Sequence, residues 1–145
     1  MDETQPDRST AEWELMDFLI EQTQDNLYTI IVYTPDDWEI LYTNSERKNL
    51  FDVPGAELTN ADKEMIVEGF RVNAIDNGER EDLLDVGRYA CSLHLFERWI
   101  LLQFSRGGCG VVLGYDPSTA ANLESFVSDC YPYIDPLLAR LTDET

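Results

Sequence analysis

"SLHLFERWILLQFSRGGCGVVLGYDP", Ser92 to Pro117, decides the fold. It is the most apolar part of the chain and holds its only histidine and an Arg-Gly-Gly-Cys-Gly loop. Read with the residues before it, it gives three strands, Arg88–Phe96, Trp99–Ser105 and Cys109–Tyr115, rich in β-branched and aromatic residues. Glu97-Arg98 makes the first turn and Arg106-Gly107-Gly108 the second, with Gly110 expected at a bulge. Asp116-Pro117 reads as the start of the closing helix, Asp as its cap and Pro at its first position. The segment "WILLQF" is apolar on both faces and "VVLGY" nearly so, and a sheet of such strands needs cover on both sides.

The glycines in this stretch raise the question of a phosphate cradle. Such loops run from a strand into a helix N-terminus, and this one runs from strand to strand. It lacks Gly-Lys-Ser/Thr and G-x-G-x-x-G, so a tight turn needing positive φ is the better reading. Arg106 remains free to meet an anion or a carboxylate from the loop tip.

Upstream, "STAEWELMDFLIEQTQDN" reads as a helix opened by a Ser9-x-x-Glu12 capping box and stopped at Asn26. A β-hairpin follows, Leu27–Tyr33 and Trp38–Thr43, around Thr34-Pro35-Asp36-Asp37. The stretch around Pro54-Gly55, with Arg47 and Lys48 before it, is a loop. A second helix is capped by Thr59 and stops at Asn77-Gly78, its narrow face carrying Met65, Ile66, Gly69 and Phe70, close-packed on a neighbour. After the meander, the last helix presents Leu123, Phe126, Val127 and Cys130. Pro132 breaks or kinks it, and Asp135-Pro136 restarts a short helix through Leu137, Leu138 and Leu141.

The fold class is therefore α+β: a single five-stranded antiparallel sheet with helices on both faces, in the order αββαβββα. The two terminal helices cover one face, and the middle helix or a second subunit covers the other. Residues 1–8 form a flexible polar leader and residues 9–145 one domain.

Composition bounds the setting. The chain has 145 residues and a formal net charge of −19, with 29 Asp and Glu against 10 Lys and Arg. Ordinary salt leaves such self-repulsion in place, and molar salt screens it, because the Debye length falls to about 3 Å. The acids run along the whole chain, which suits a halophile's cytoplasm better than one acidic docking patch. No basic stripe exists to displace counterions from nucleic acid. No apolar run approaches the ~20 residues of a membrane span. Cys91, Cys109 and Cys130 are odd in number and widely spaced, the pattern of reduced core thiols.

The element order resembles the roadblock/longin layout, and pieces of it are shared by profilin-like and by PAS or GAF sensor folds. That resemblance implies a module that dimerises and serves as a platform. A second resemblance rests on Asp17-Phe18-Leu19, Ile31–Tyr42, Cys91–Glu97, Phe104–Gly107 and Leu123–Cys130. These stretches are similar to a family of small acidic haloarchaeal proteins of unknown function, which implies a halophile cytosol and no particular activity.

No catalytic, cofactor or metal set emerges. His94 and Ser92 share a strand face roughly 7 Å apart, too far for a direct base–nucleophile bond. Cys91 and His94 point to opposite faces, and no C-x₂-C pair exists for zinc. Acid pairs such as Asp36-Asp37 follow from composition. The expected function is a non-enzymatic, cytosolic interaction or adaptor module, a homodimer that binds an unknown protein partner, with no direct nucleic-acid contact and no membrane. The alternatives are a PAS/GAF-like ligand sensor and, behind it, an enzyme using His94. The candidate interaction surface is His94, Arg106, Trp99 and Arg47; Trp38, Tyr131 and Tyr133 are further aromatics read mainly as core.

Overall fold

A computed structural model describes residues 9–23, 26–44, 59–89, 91–117 and 123–144. The expected leader, Arg47, the loop around Pro54 and the stretch 118–122 lie outside the described residues. The elements are α1 (Thr10–Thr23), β1 (Leu27–Tyr33), β2 (Trp38–Thr43), α2 (Asn60–Leu83), β3 (Ser92–Leu95), β4 (Ile100–Arg106), β5 (Cys109–Tyr115) and α3 (Leu123–Asp143). The strands form one antiparallel sheet in the order β2-β1-β5-β4-β3. The expected element order and sheet are those observed.

Strand alternation sorts the core into two layers. Leu27, Ile30, Val32, Ile100, Leu102, Phe104, Val111, Leu113 and Tyr115 point to one face and meet Leu15 and Leu19 of α1 and Cys130, Ile134, Leu137 and Leu138 of α3. Ile31, Tyr33, Leu101 and Val112 point to the other and meet Val67 and Phe70 of α2. β5 lies at the centre and is buried along its whole length, as is β1 beside it. The terminal helices thus cover one face and the middle helix the other.

α1 opens on the expected capping box: the Ser9 amide donates to Glu12 Oε1 at 2.7 Å, and the Glu12 amide to Ser9 Oγ at 3.2 Å. Glu12 is buried, and Arg140 of α3 stands 3.7 Å from its carboxylate. Phe18 of α1 stacks on Tyr133 of α3 with centroids 4.2 Å apart.

Several local expectations need correction. α2 does not stop at Asn77-Gly78 but continues to Leu83. Asn77 donates its side-chain amide back to the Asn73 carbonyl and accepts from Arg80, so the local bonding supports the helix across the glycine. Its inner face is Val67, Phe70 and Arg71, not the Met65–Gly69 side. Met65 is exposed, and a Cβ on Gly69 would meet nothing within 4 Å. β3 is four residues long rather than nine.

Gly110 lies in register opposite Ser105 and Tyr33, with no bulge. A Cβ there would come 2.2 Å from the Tyr33 ring, so glycine is needed for that aromatic to lie flat on the strand. The turn to β5 is Gly107-Gly108, with φ of 58° and 86°, the positive-φ pair of a type I′ hairpin. α3 is continuous through Pro132 and Pro136. Both prolines are on the solvent side, so the carbonyls deprived of an N–H partner can meet water. The buried stripe Cys130, Ile134, Leu137, Leu138 and Leu141 holds the helix to the sheet. Of the helix expected from Asp116-Pro117, the described part is Leu123–Asp143. Asp116 accepts the Tyr28 hydroxyl at 2.8 Å, tying the end of β5 to β1.

Candidate interaction surface

α2 is held to the sheet by polar chemistry as much as by apolar contact. Gln103 of β4 is fully buried and donates its amide to Tyr33 Oη at 2.8 Å and to the Phe70 carbonyl at 2.6 Å. Its own carbonyl accepts from Asn73 at 2.9 Å. Asn73 and Asn77 both donate to Ser92 Oγ, at 2.8 and 3.1 Å, and Tyr89 Oη shares a hydrogen bond with the same oxygen. Burial pushes the Tyr33 hydroxyl up to about 12, against the opposing pull of its Gln103 bond. Each member of this network has a partner, the condition under which buried polar groups are tolerable.

The N-terminal half of α2 is fastened to the β1–β2 turn. Thr59 and Asp62 form a reciprocal capping box. Arg71, 9 % exposed, donates to the Thr34 and Asp37 carbonyls at 3.0 Å each, to Glu64 at 2.9 Å and to Glu68 at 3.1 Å. Burial would lower its pKa, and the two carboxylates outweigh that and raise it. Glu64 also accepts the Trp38 indole N–H at 2.7 Å. Arg71, and then Trp38, hold its carboxyl below the usual range.

The outer face of this helix is different. Ten large apolar side chains are exposed among the described residues, and nine of them are Met65, Val72, Ile75, Leu83, Leu84, Val86, Leu93, Leu95 and Phe96. All nine lie on α2, on the chain just after it, or on β3 and its end. At about 100° per residue, Met65, Val72 and Leu83 fall on one line along α2, with Ile75 to one side. β3 is the last strand of the sheet, and its outer edge has no strand partner among the described residues. Leu93 and Leu95, opposite Leu102 and Ile100, point to the face that α1 and α3 cover, so the exposed residues form two groups, one on the outer side of α2 and one at the β3 edge. Grouped exposure marks an interaction surface, whereas single exposed apolar residues mark nothing.

The residues singled out from sequence do not make one surface. His94 and Trp99 lie near the β3–β4 turn, whereas Arg106 is at the far end of β4, beside the β4–β5 turn. Arg47 lies outside the described residues. His94 is half-buried under α2, its ring edge-on to Phe70 at 6.1 Å, and its buried Nε2 has no hydrogen-bond partner among the described residues. Trp99 packs edge-on to Tyr28 at 4.6 Å and covers Gly114. Arg106 is half-exposed and paired with Asp135 at 3.0 Å.

Arg106 and Asp135 line an open groove of about 1000 Å³ with Arg71, Arg88, Glu68 and Glu81, a balanced mixture of charges. Cys109 and Cys130 are buried, Cys91 half-buried, and all three are free thiols. Burial raises Cys91 and pushes Cys130 up to about 12, so neither is an activated thiolate. Among the described residues no group of three or more His, Cys, Asp or Glu is placed to hold a metal ion.

Sequence reasoning missed the α2–β3 surface, although its residues were visible. Val72, Ile75, Leu83, Leu84 and Val86 sit among acids in "FRVNAIDNGEREDLLDVG", and helical phase alone does not say which stripe faces the sheet. The available signal was an apolar line too many for one helix.

A family model for a domain of unknown function, DUF7522, matches residues 13–135. The chain belongs to the DUF7522 family. No curated protein matches this DUF7522 domain. Among solved structures it is similar to an MglB with a tetrameric arrangement, at 16 % identity over 94 % of this chain and 93 % of that one, with a TM-score of 0.53. It is also similar to the gliding protein MglB from Thermus thermophilus, at 19 % identity over 95 % of both chains, with a TM-score of 0.51. At these identities the likeness establishes the fold of the DUF7522 domain, which is roadblock/longin-like. No helix among the described residues is long and apolar enough to cross a membrane.

Proposed function

We propose that this domain is a non-enzymatic interaction module, an adaptor or platform that self-associates through the outer face of α2 and the free edge of β3. The observation that carries this reading is that exposed large apolar side chains line the outer side of α2 (Met65, Val72, Leu83) and stand on the unpartnered edge strand β3 and its end (Leu93, Leu95, Phe96). α2 crosses the sheet: Glu64 meets Trp38 of β2, the Phe70 carbonyl meets Gln103 of β4, and Asn77 meets Ser92 of β3. The C-terminal half of α2 therefore stands beside the β3 edge, where a two-fold axis would pair β3 with its copy edge to edge. Gly69, exposed and unobstructed, lets a second helix approach closely. The tetrameric arrangement of an MglB supports self-association for this fold.

The setting we propose is the cytoplasm of a halophilic archaeon, on the strength of the −19 charge spread along the chain. The enzyme reading has less support. Ser92 Oγ is already engaged by Asn73, Asn77 and Tyr89, and His94 Nε2 reaches no partner that could orient it. A ligand sensor needs a pocket between sheet and helices. Those layers hold Tyr33, Phe70, Phe104 and Tyr115, and the groove described above opens to solvent instead.

Light scattering in molar potassium chloride tests the proposal. The expected mass is twice 16.6 kDa or a multiple of that. Val72→Asp and Leu95→Asp each put a carboxylate on the shared surface and are expected to give a folded monomer with unchanged circular dichroism. A wild-type monomer under those conditions, or variants that associate as wild type does, overturns the proposal.

A further inference from the structure

The free edge of β3 carries a hydrogen-bonding pattern of its own. The Phe96 amide donates to the Trp99 carbonyl at 2.8 Å across the turn, and in the strands that follow His94 stands opposite Leu101 and Ser92 opposite Gln103. Opposite residues of an antiparallel pair alternate between exchanging both backbone bonds and exchanging none. Phe96, His94 and Ser92 therefore spend their backbone groups on β4. The N–H and C=O of Leu93 and Leu95 point the other way, to the edge that has no strand partner among the described residues. The Leu93 and Leu95 side chains are exposed on the α1–α3 face, and His94 faces α2.

We infer that two copies of this domain pair their β3 strands in one register, with His94 on the two-fold axis beside its own copy and Leu93 opposite the partner's Leu95. This rests on the β3 edge proposed above. A two-fold axis sets the second strand antiparallel, and only residues with outward backbone groups bond across it. The axis therefore passes through a residue rather than between two, and within the strand that residue is Leu93, His94 or Leu95. With the axis at His94, both outward residues of each copy find a bonded partner inside the other strand. With the axis at Leu93 the ladder needs Cys91, and at Leu95 it needs Glu97, both outside β3.

The side chains favour the same register. It sets Leu93 against the partner's Leu95 twice, an apolar pair each time. It sets Glu97 alongside the partner's Cys91, three residues from the exposed cation Arg88. The Leu93 register brings Arg98 level with the partner's Arg88, and the Leu95 register sets the Glu97 carboxylate against the partner's Leu93. His94 is also the residue whose buried Nε2 has no partner among the described residues. The register places beside it a second imidazole, which when neutral carries one donor and one acceptor.

Disulfide trapping reads the register. His94→Cys, Leu93→Cys and Leu95→Cys are made singly and oxidised with diamide in molar potassium chloride, with wild type as the control for the native thiols. Residues opposite each other in a non-bonded pair have Cα atoms about 4.5 Å apart, within reach of a disulfide. Leu93 lies two residues off its own copy, about 7–8 Å away and out of reach, and so does Leu95. His94→Cys is expected to give at least about ten times the disulfide dimer of either leucine variant. An equal mixture of Leu93→Cys and Leu95→Cys is expected to cross-link between the variants and not within them. Both leucines are exposed, so the mixture reads the register even if circular dichroism shows His94→Cys unfolded. A cross-link in Leu93→Cys alone, or in Leu95→Cys alone, moves the axis and overturns the register while the interface stands. No cross-link in any sample, at a concentration where light scattering gives a dimer, overturns pairing through β3. A monomer by light scattering overturns the interface reading itself.

Discussion

The two faces of the sheet are covered in different ways. On one, α1 and α3 lie side by side and share with the sheet a cluster of nineteen buried residues among those described, nearly all hydrocarbon. On the other, α2 alone covers a cluster of six, and its grip depends on Gln103, Asn73, Ser92 and Arg71. The helices on the first face show solvent a polar outer side, with Ile20 the one large exposed apolar residue on them among those described, and that face is left uncovered at the edge, where Leu93 and Leu95 are exposed. The second turns a polar network inward and an apolar line outward. A helix that spends its polar side chains on its own sheet and presents Met65, Val72 and Leu83 to water is organised for a further layer. The contrast separates the part of the molecule that secures the fold from the part available for recognition.

The largest test of this contrast uses adjacent residues. Leu102 points to the α1–α3 face and Leu101 to the α2 face. Leu102→Ala should lie near the top of the range of about 2–5 kcal/mol for such truncations, and Leu101→Ala near the bottom. Urea denaturation of both reads the difference, and equal losses would erase the distinction between the faces. A smaller effect is expected at Gln103. Replacing it by Leu leaves the Tyr33 hydroxyl and the Asn73 amide short of partners, at a cost of about 1–3 kcal/mol in the same assay. A neutral result would mean that apolar contact alone holds α2. The smallest effect is a gain. A Cβ on Gly78 would meet nothing within 4 Å, so Gly78→Ala should stabilise α2 by about 0.5–1 kcal/mol, seen as a higher melting temperature. A loss there would reveal an occupant of that space.

Much of the fold was legible because it rests on alternation and turns. β1, β2 and β5 have the bounds their β-branched runs suggest, and the Ser9–Glu12 box opens α1 where the pattern places it. The errors share one physical origin, which is context that local pattern does not contain. Arg71 reads as a surface residue, yet four acceptors, two from the β1–β2 turn and two from its own helix, make burial possible. Counting it as polar rotates the inferred inner face of α2 toward Met65. Asn77-Gly78 reads as a stop, yet Asn77 bonds back into the helix. Pro132 reads as a break, yet the stripe from Cys130 to Leu141 outweighs the missing bonds. The candidate site was less legible still. Rarity drew attention to His94 and Arg106, which the sheet places at opposite ends of β4. The apolar line on α2 is made of common residues and becomes visible only once the face that meets the sheet is known.

The pairing of α1 with α3 has a consequence for synthesis. A ribosome releases α1 well before α3, and the larger core needs both. Two amides are missing from α3, at Pro132 and Pro136, so it has little tendency to form before it docks. The nascent sheet therefore waits with one side half bare until α3 arrives, and the larger core is closed from its C-terminal side rather than built up from α1.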